Sequence, residues 1–478
     1  MSAQSLWTIE NMCEAMRAAK VGALPPFVSG ISIDSRTIAT GEAYFAIKGD
    51  VHDGHAFVAN AIKAGGSVAI IDDAHRAVFG DDLPLLVVPD VLQALRQLGM
   101  AARARMQAKV IAVTGSVGKT STKEALRLVL GAEGKTHASA ASFNNHWGVP
   151  LTLARCPQDV RFAVFEIGMN HAGEITPLVK MVRPHVAIIT TVEPVHLEFF
   201  KSVDAIADAK AEIFDGLEPG GAAVLNRDNT QFERLANHAK AKGVANIVSF
   251  GEQASCDVRL IDAALQADCS AVRAKIFGEN VAYKVGMPGR HMVMNSLAVL
   301  AAATLASADL ATSMMALGTM TPPPGRGARK QLMIGSGKAL LIDESYNANP
   351  ASMRAALAVL GKAEIHHRGR RIAVLGDMLE LGPEGPKLHA SLANAIAESR
   401  IDLVYCCGPL MQNLWEALPA NRRGGYAQSS AELQKDVAAA LQAGDAVMIK
   451  GSLGSKMKTV VTRLEQQFPE WDSAEAAM

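Results

Sequence analysis

From Val110 to Leu126 the chain reads VIAVTGSVGKTSTKEAL. A β-branched apolar run meets two glycines, a lysine and two threonines, and then takes on helical spacing. Residue types in this order suit the binding of phosphate. Gly115 and Gly118 let the backbone approach an anion closely. The N–H groups of the Thr114-Gly115-Ser116-Val117-Gly118 turn, together with the positive end of the following helix, would face it. Lys119 brings a point charge to the terminal phosphates. The Thr120 hydroxyl, with Ser121 beside it, stands where Mg²⁺ would be held. The common spacing G-x-x-x-x-G-K-[ST] asks for glycine five places before Gly118, where this chain has Val113. The strand is therefore expected to end at Val113, the helix to begin near Lys119, and the loop to be tighter than the common form. A guanine-reading N-K-x-D segment has its nearest counterpart in Asn226-Arg-Asp-Asn229, with the acid one place early, which argues against a GTPase switch.

Three further residues could join this chemistry. Glu166 closes the apolar run in FAVFEIGMNH, and a carboxylate at the C-terminal end of a parallel strand is placed to hold Mg²⁺. His196 follows the next apolar run in VEPVHLEFF, and by itself reads as a packed or solvated histidine. Lys210 lies in ADAKAEIF on an amphipathic helix, and by itself reads as a surface lysine.

The elements that must carry these residues follow from pattern and length. A chain of 478 residues exceeds one ordinary core and divides into two to four domains. Lys+Arg and Asp+Glu both number 47, so no net field draws nucleic acid or an anionic membrane. The six cysteines are scattered without C-x-x-C spacing, which fits reduced thiols in a cytoplasmic protein. The N-terminus lacks a signal-peptide core, and no apolar run reaches the roughly 18 residues of a membrane span. Residues 1–85 mix short strands (FVSGISID, AYFAIKG, SVAIID) with a helix near 56–64, and 91–106 is a helical lead-in. Residues 86–325 repeat strand–loop–helix with fully apolar strands, the mark of a parallel sheet covered on both faces. Within them, 257–286 alternates like a β-meander and an Ala-rich helix begins near His291. The connector Thr321-Pro-Pro-Pro-Gly-Arg-Gly cannot continue a helix and reads as a hinge. Residues 326–478 form a second βα series (ALLIDES, RRIAVLGD, LVYCCG, AVMIKGS) of doubly wound, Rossmann-like character. The fold class is thus α/β in three domains: a small N-terminal α/β domain, a central P-loop domain on a parallel sheet, and a C-terminal Rossmann-like domain.

TGSVGKTSTKE, SFNNHWGVPLTL, FEIGMNHAGEI, HLEFFKSVDAIADAKAEIF, PGRHMVMNSLA, IDESYNANP, VLGDMLELG and KGSLGSKMK together resemble the Mur ligase family of bacterial cell-wall synthesis, from Ile33-Asp-Ser-Arg36 to Lys456. The resemblance implies an ATP-dependent amide ligase acting through an acyl phosphate. Its partners would be a UDP-N-acetylmuramoyl-tripeptide and, from SYNANP and EIGMNH, D-alanyl-D-alanine. A monomer is implied. Residue by residue, Lys119 matches a catalytic lysine, and Thr120, Glu166 and His196 match metal ligands. Lys210 matches the lysine that takes up CO₂ to become a carbamate, an anion able to approach Mg²⁺. Asn295 matches the residue that reads adenine, although Met292 stands where the family often has asparagine. Arg326 matches an arginine that reaches the γ-phosphate. Asp343 matches a ribose contact, and Glu344 stands where a second aspartate is frequent. Ser35 and Arg36 resemble the uridine-diphosphate contacts of an N-terminal UDP-binding domain. Asn144 and Asn145 are expected near the reacting end of the peptide. Tyr346, Asn347 and Asn349 are candidates for placing substrate or nucleotide, or are turn residues before Pro350. Two other readings stay open: a sister ligase that adds a diamino acid, and a P-loop nucleotide switch without ligase chemistry.

Overall fold

The computed structural model describes residues 5–471 apart from 50, 141, 196, 197 and 367. His196 therefore lies outside the described residues. Three large sheets follow one another along the chain.

The first sheet has five strands in the order Ala19–Val21, Leu85–Val88, Val68–Asp72, Glu42–Phe45, Gly30–Ser32, all parallel except the first pair. Two turns beside it interlock. Asp53 and Asp72 each accept the backbone N–H of a following histidine, and the rings of His55 and His75 stack 3.8 Å apart between the two carboxylates. The Asp72 N–H donates to His55 Nε2 at 3.2 Å, so the ring proton sits on Nδ1 and is donated to Asp53 at 2.6 Å. Both nitrogens of His55 are thereby used. This group of potential metal ligands is a pair of locked helix caps.

The second sheet has nine strands. Lys109–Thr114 lies centrally, parallel to Phe162–Glu166 on one side and Val186–Ile189 on the other. Val110 and Ala112 pack into the core on one face, and Ile111 and Val113 into the core on the other. This double burial is why the strand reads as an unbroken apolar run. Helices Lys119–Gly131 and Arg290–Leu305 cover one face; Ile175–Val182 and Phe232–Ala241 cover the other. Val258–Leu265, Ser270–Ile276 and Glu279–Val285 extend the sheet as the antiparallel meander.

The third sheet runs Ala328–Ile334, Gly337–Glu344, Ala446–Lys450, Arg371–Gly376, Leu403–Cys407, Arg423–Ala427, parallel after the first pair. Its two outermost strands carry no apolar run in the sequence. Each is an edge strand, mostly half-buried or exposed, so hydrophobic patterning does not reveal it.

The union of the first two domains rests on helix Val91–Arg105. Val91, Leu95 and Leu98 pack with Val68, Ile70 and Leu86 of the first sheet, while Leu151 and Ala154 of the second domain join the same core. Arg103 then donates to the backbone carbonyls of Val182 and Arg183, both at 2.7 Å. Arg105 lies 3.4 Å over the ring of Trp7, whose indole N–H donates to the Ala154 carbonyl at 2.8 Å. The division between residues 85 and 86 thus falls inside a strand of the first sheet, because Leu85–Val88 completes that sheet before the helix leaves it. The division between 325 and 326 falls in the connector that joins helix Leu310–Gly318 to strand Ala328–Ile334.

Leu98 is fully buried in this shared core. Leu98→Ala is expected to cost about 2–5 kcal/mol of stability. Chemical denaturation followed by tryptophan fluorescence measures it, and a midpoint equal to that of the unaltered chain would show that the helix is not the strut described.

Candidate active site

The phosphate-type loop is braced before any ligand arrives. The strand runs through Thr114, one residue beyond the expected end at Val113, and the helix begins at Lys119. Gly115 and Gly118 have φ of 146° and 87°, values that a side chain disfavours. Space forbids one as well. A Cβ on Gly115 would lie 2.0 Å from Thr190 Oγ1, and one on Gly118 would lie 2.9 Å from the Asn295 amide. Thr190 Oγ1 donates to the Val117 carbonyl at 2.6 Å. Ser116 exchanges two bonds with the Glu193 backbone at 3.1 and 2.9 Å, so its hydroxyl braces the loop. Lys119 Nζ folds back onto the carbonyls of Gly115 and Ser116, at 2.7 and 3.4 Å. Burial holds its pKa below the ordinary lysine value; Glu166 opposes that shift and Arg326 adds to it.

Glu166 ends strand Phe162–Glu166 and is 1% exposed. Its Oε1 accepts from Asn144 Nδ2 at 2.8 Å, while its Oε2 is buried without a partner among the described residues. A buried carboxylate oxygen left bare costs about 1–3 kcal/mol or more. It fits a cation that is absent from the protein alone. With the Thr120 hydroxyl at the helix start, the donors are hard oxygens of the kind Mg²⁺ takes.

Lys210, on helix Val203–Ala211, is 2% exposed, so the surface reading of this lysine does not hold. No described residue gives its amine a hydrogen bond or an ion pair. Burial, and then the charge of Lys119, push its pKa well below the usual lysine range.

The loop, Thr120 and Glu166 form the floor of a cavity of 590 Å³ between the second and third domains; Lys210 is not among its lining residues. Thr120, Ser121, Asn144, Glu166 and Asn295 come from one side; Arg326, Tyr346, Asn347 and Asn349 come from the other. Met287, Met292, Ala355, Ala356 and Val359 add apolar lining to the cavity. The Arg326 guanidinium lies 4.2 Å over the Tyr346 ring and donates to Ser142 Oγ at 3.3 Å.

Not every expected residue reaches the cavity. Asp343 pairs in register with Ala328, so its side chain shares a face with the Leu341 and Leu332 core. There it binds Ser345 and Lys458, and Glu344, one residue on and so on the opposite face, lines the cavity instead. Asn145 accepts the Gly148 N–H at 2.9 Å, so its side chain holds the turn that leads into helix Gly148–Ala154. Asn349 lines the cavity, but its side chain is committed to a capping box with Ser352. Ser35 and Arg36 are on the first domain, apart from this cavity. Arg36 is held by both oxygens of Asp34 (2.9 and 2.6 Å), and that bond pulls the Asp34 carboxyl down to about 2.

Two cavity residues, Glu344 and Lys450, went unassigned in the sequence reading. Their signal resembles that of Glu166: a charge ending a strand whose other residues are largely apolar.

Fold and site together define a three-domain nucleotide-binding protein of the P-loop type. Comparison with known proteins is more particular. Residues 27–103 match the model described as Mur ligase family, catalytic domain; residues 113–303 match the Mur ligase middle domain; residues 328–453 match the Mur ligase glutamate ligase domain. The chain is 30% identical over 431 residues to the UDP-N-acetylmuramoyl-tripeptide–D-alanyl-D-alanine ligase of Rickettsia prowazekii, covering 90% of this chain and 94% of that one. It is 32% identical over 441 residues to the ligase of the same name from Escherichia coli, covering 92% and 94%. A crystal structure of MurF from Acinetobacter baumannii superposes with a TM-score of 0.82 at 30% identity, over 98% of this chain and all of that one. MurF from Thermotoga maritima in complex with ADP shares the fold, with a TM-score of 0.75 at 24% identity over 92% and 97%. The chain belongs to the Mur ligase family.

The state of Lys210 gives a signed expectation. In carbon-dioxide-free buffer the native amine stays neutral at pH values where the unfolded amine, with its ordinary pKa of 10.5, is protonated. The unfolded state then binds more protons, and stability falls as pH drops below 10.5 toward the depressed native value. Lys210→Met removes this slope. It should be more stable than the unaltered chain at pH 7, by a margin that shrinks as pH rises toward 10.5. Thermal melts across pH test this, and parallel curves would contradict the burial described.

Proposed function

We propose that this chain joins D-alanyl-D-alanine to UDP-N-acetylmuramoyl-tripeptide at the expense of ATP, a step in making peptidoglycan precursors, and that it works as a cytoplasmic monomer. The observation that carries the reading is the convergence of a phosphate loop and a carboxylate oxygen buried without a partner among the described residues under a wall from another domain, with Lys210 buried close enough to Lys119 for that charge to depress its pKa. Support also comes from relatives of that name that match over nine-tenths of the chain.

In this reading a carboxylate oxygen of the tripeptide attacks the γ-phosphorus of ATP. The bond to the β,γ-bridging oxygen breaks, and ADP leaves an acyl phosphate behind. The dipeptide amine attacks the acyl carbon and gives up a proton, and the C–O bond to phosphate breaks. The loop N–H groups and Lys119 hold the transferring phosphates, Lys119 exchanging its loop carbonyls for them. Arg326 faces the γ-phosphate from the third domain. Asn295 and the apolar lining around Met292 take the adenine, and the Glu344 edge faces the ribose. Asn144 keeps Glu166 turned inward beside the peptide's reacting end, with Tyr346 and Asn347 across the cleft. Ser35 and Arg36 hold the uridine diphosphate on the first domain. The wall between the domains keeps water from the acyl phosphate. Thr120, Glu166 and His196 would hold Mg²⁺, which when bound neutralises charge on the phosphates.

Lys210 enters as a carbamate: its neutral amine adds CO₂ at carbon and loses a proton, giving an anion in place of a cation. Burial supplies the neutral amine that this needs.

The defining experiment measures phosphate release over a panel crossing muramoyl tripeptides with acceptors. Turnover is expected only with ATP, UDP-N-acetylmuramoyl-tripeptide and D-alanyl-D-alanine together. Turnover with a diamino acid instead would make this a sister ligase, and turnover indifferent to both substrates would make it a nucleotide switch. Separately, Lys210→Ala should lose at least about a hundredfold in kcat, and added short carboxylic acids should restore part of it. Full activity of that variant without added acid would remove the carbamate.

A further inference from the structure

The wall that the third domain turns toward the cavity is held by a buried cation outside the phosphate loop. Lys450 ends strand Ala446–Lys450, in which every residue is buried. Its side chain is 4% exposed and borders the cavity. In sheet register it stands beside Glu344. Nζ meets Glu344 Oε2 at 3.1 Å and donates to the Asn347 carbonyl at 2.9 Å. Taking an ammonium this far from water costs several kcal/mol, and only partners in good geometry offset it. The two bonds clamp the beginning and end of the turn 344–347.

Tyr346 sits within that turn. Its N–H donates to the Gly325 carbonyl at 3.1 Å, and its ring carries the Arg326 guanidinium at 4.2 Å. The remaining polar contact of the Arg326 side chain among the described residues is the 3.3 Å bond to Ser142. The direction of Arg326 into the cavity is therefore set largely by Tyr346, and the place of Tyr346 by a turn that Lys450 holds at both ends. An arginine on a proline- and glycine-rich connector has no secondary structure of its own to aim it.

We propose that Lys450 is a positioning residue for the ligase reaction: it fixes the turn 344–347, and through the Tyr346 ring it aims the Arg326 guanidinium at the transferring phosphate. The inference rests on the reading of Arg326 as the phosphate-facing arginine. Lys450 itself is bonded to Glu344 and Asn347 and not to Arg326. Removing it lets the stack on Tyr346 drift, and drifts of about 1 Å cost up to a hundredfold in rate.

The test is a double-mutant cycle on the full chain, with kcat, both KM values and thermal stability measured for Lys450→Met, Lys450→Arg, Arg326→Ala and the Met/Ala pair. Lys450→Met should lower kcat by about tenfold to a hundredfold, with KM for the UDP-tripeptide within about twofold. Lys450→Arg should recover most of the loss, since a guanidinium can bridge the same two oxygens. In the Arg326→Ala background Lys450→Met should cost nothing further in kcat, because the group it aims is gone. Equal losses in both backgrounds would overturn the positioning role and leave the reading of Arg326 standing. An unimpaired Arg326→Ala would overturn both. Should Lys450→Met fold poorly, Glu344→Gln, which loosens the same clamp and keeps its shape, must show the same non-additivity with Arg326→Ala at smaller amplitude. Additive losses there would equally sink the proposal.

Discussion

Glu166 Oε2 is buried and has no hydrogen-bond partner among the described residues, and the surrounding structure holds it in that position. Left to itself a carboxylate would turn toward a donor or toward water. Asn144 occupies its other oxygen, and the strand that carries it lies within a sheet packed on both faces, so it has nowhere to turn. The same constraint governs the loop beside it. Thr190 and Asn295 press on Gly115 and Gly118 where a Cβ would stand, and Ser116 is tied to Glu193, so the turn holds its shape without a ligand. Such preorganisation is paid for in folding stability and recovered when charge arrives.

Charge of the opposite sign is handled in a complementary way. Lys119 rests on its own loop carbonyls. Lys210 has no partner among the described residues, and burial drives it toward the neutral form. Lys450 is paired with the Glu344 carboxylate and the Asn347 carbonyl. These three lysines, two of which line the cavity, thus occupy three electrostatic situations: one held by its own loop carbonyls, one driven by burial toward the neutral form, and one tied to two oxygens of a neighbouring turn. The identity of the side chain is constant, and the environment assigns the task.

The site is complete only across a domain boundary. The floor comes from the parallel strands of the second domain. The opposing wall comes from strand ends of the third domain, at the point in its sheet where Ala446–Lys450 separates Gly337–Glu344 from Arg371–Gly376. Helix Val91–Arg105 fastens the first domain to the second through apolar packing and two arginines, whereas the third is reached through the connector that carries Arg326. A reaction whose acyl intermediate must be kept from water is suited to such a cleft.

What could be read from the order of residues was local. The glycine-lysine-threonine turn, the apolar strands around it, the meander at 257–286 and the proline hinge all announce themselves within about ten residues, because backbone geometry and two-sided burial leave short-range patterns. Family resemblance added roles for Lys210 and Arg326 that their immediate surroundings do not suggest. Tertiary structure decided the rest. Strand pairing put Glu344 rather than Asp343 on the cavity face, because successive side chains in a strand point opposite ways and only the register with Ala328–Ile334 says which way faces in. Packing tied Asn145 to a turn, made Asn349 a helix cap, removed Lys210 from solvent, and joined Lys450 to a turn more than a hundred residues earlier. A charge at the end of a buried strand is visible in sequence; the partner that gives it a purpose is fixed only when distant segments pack together.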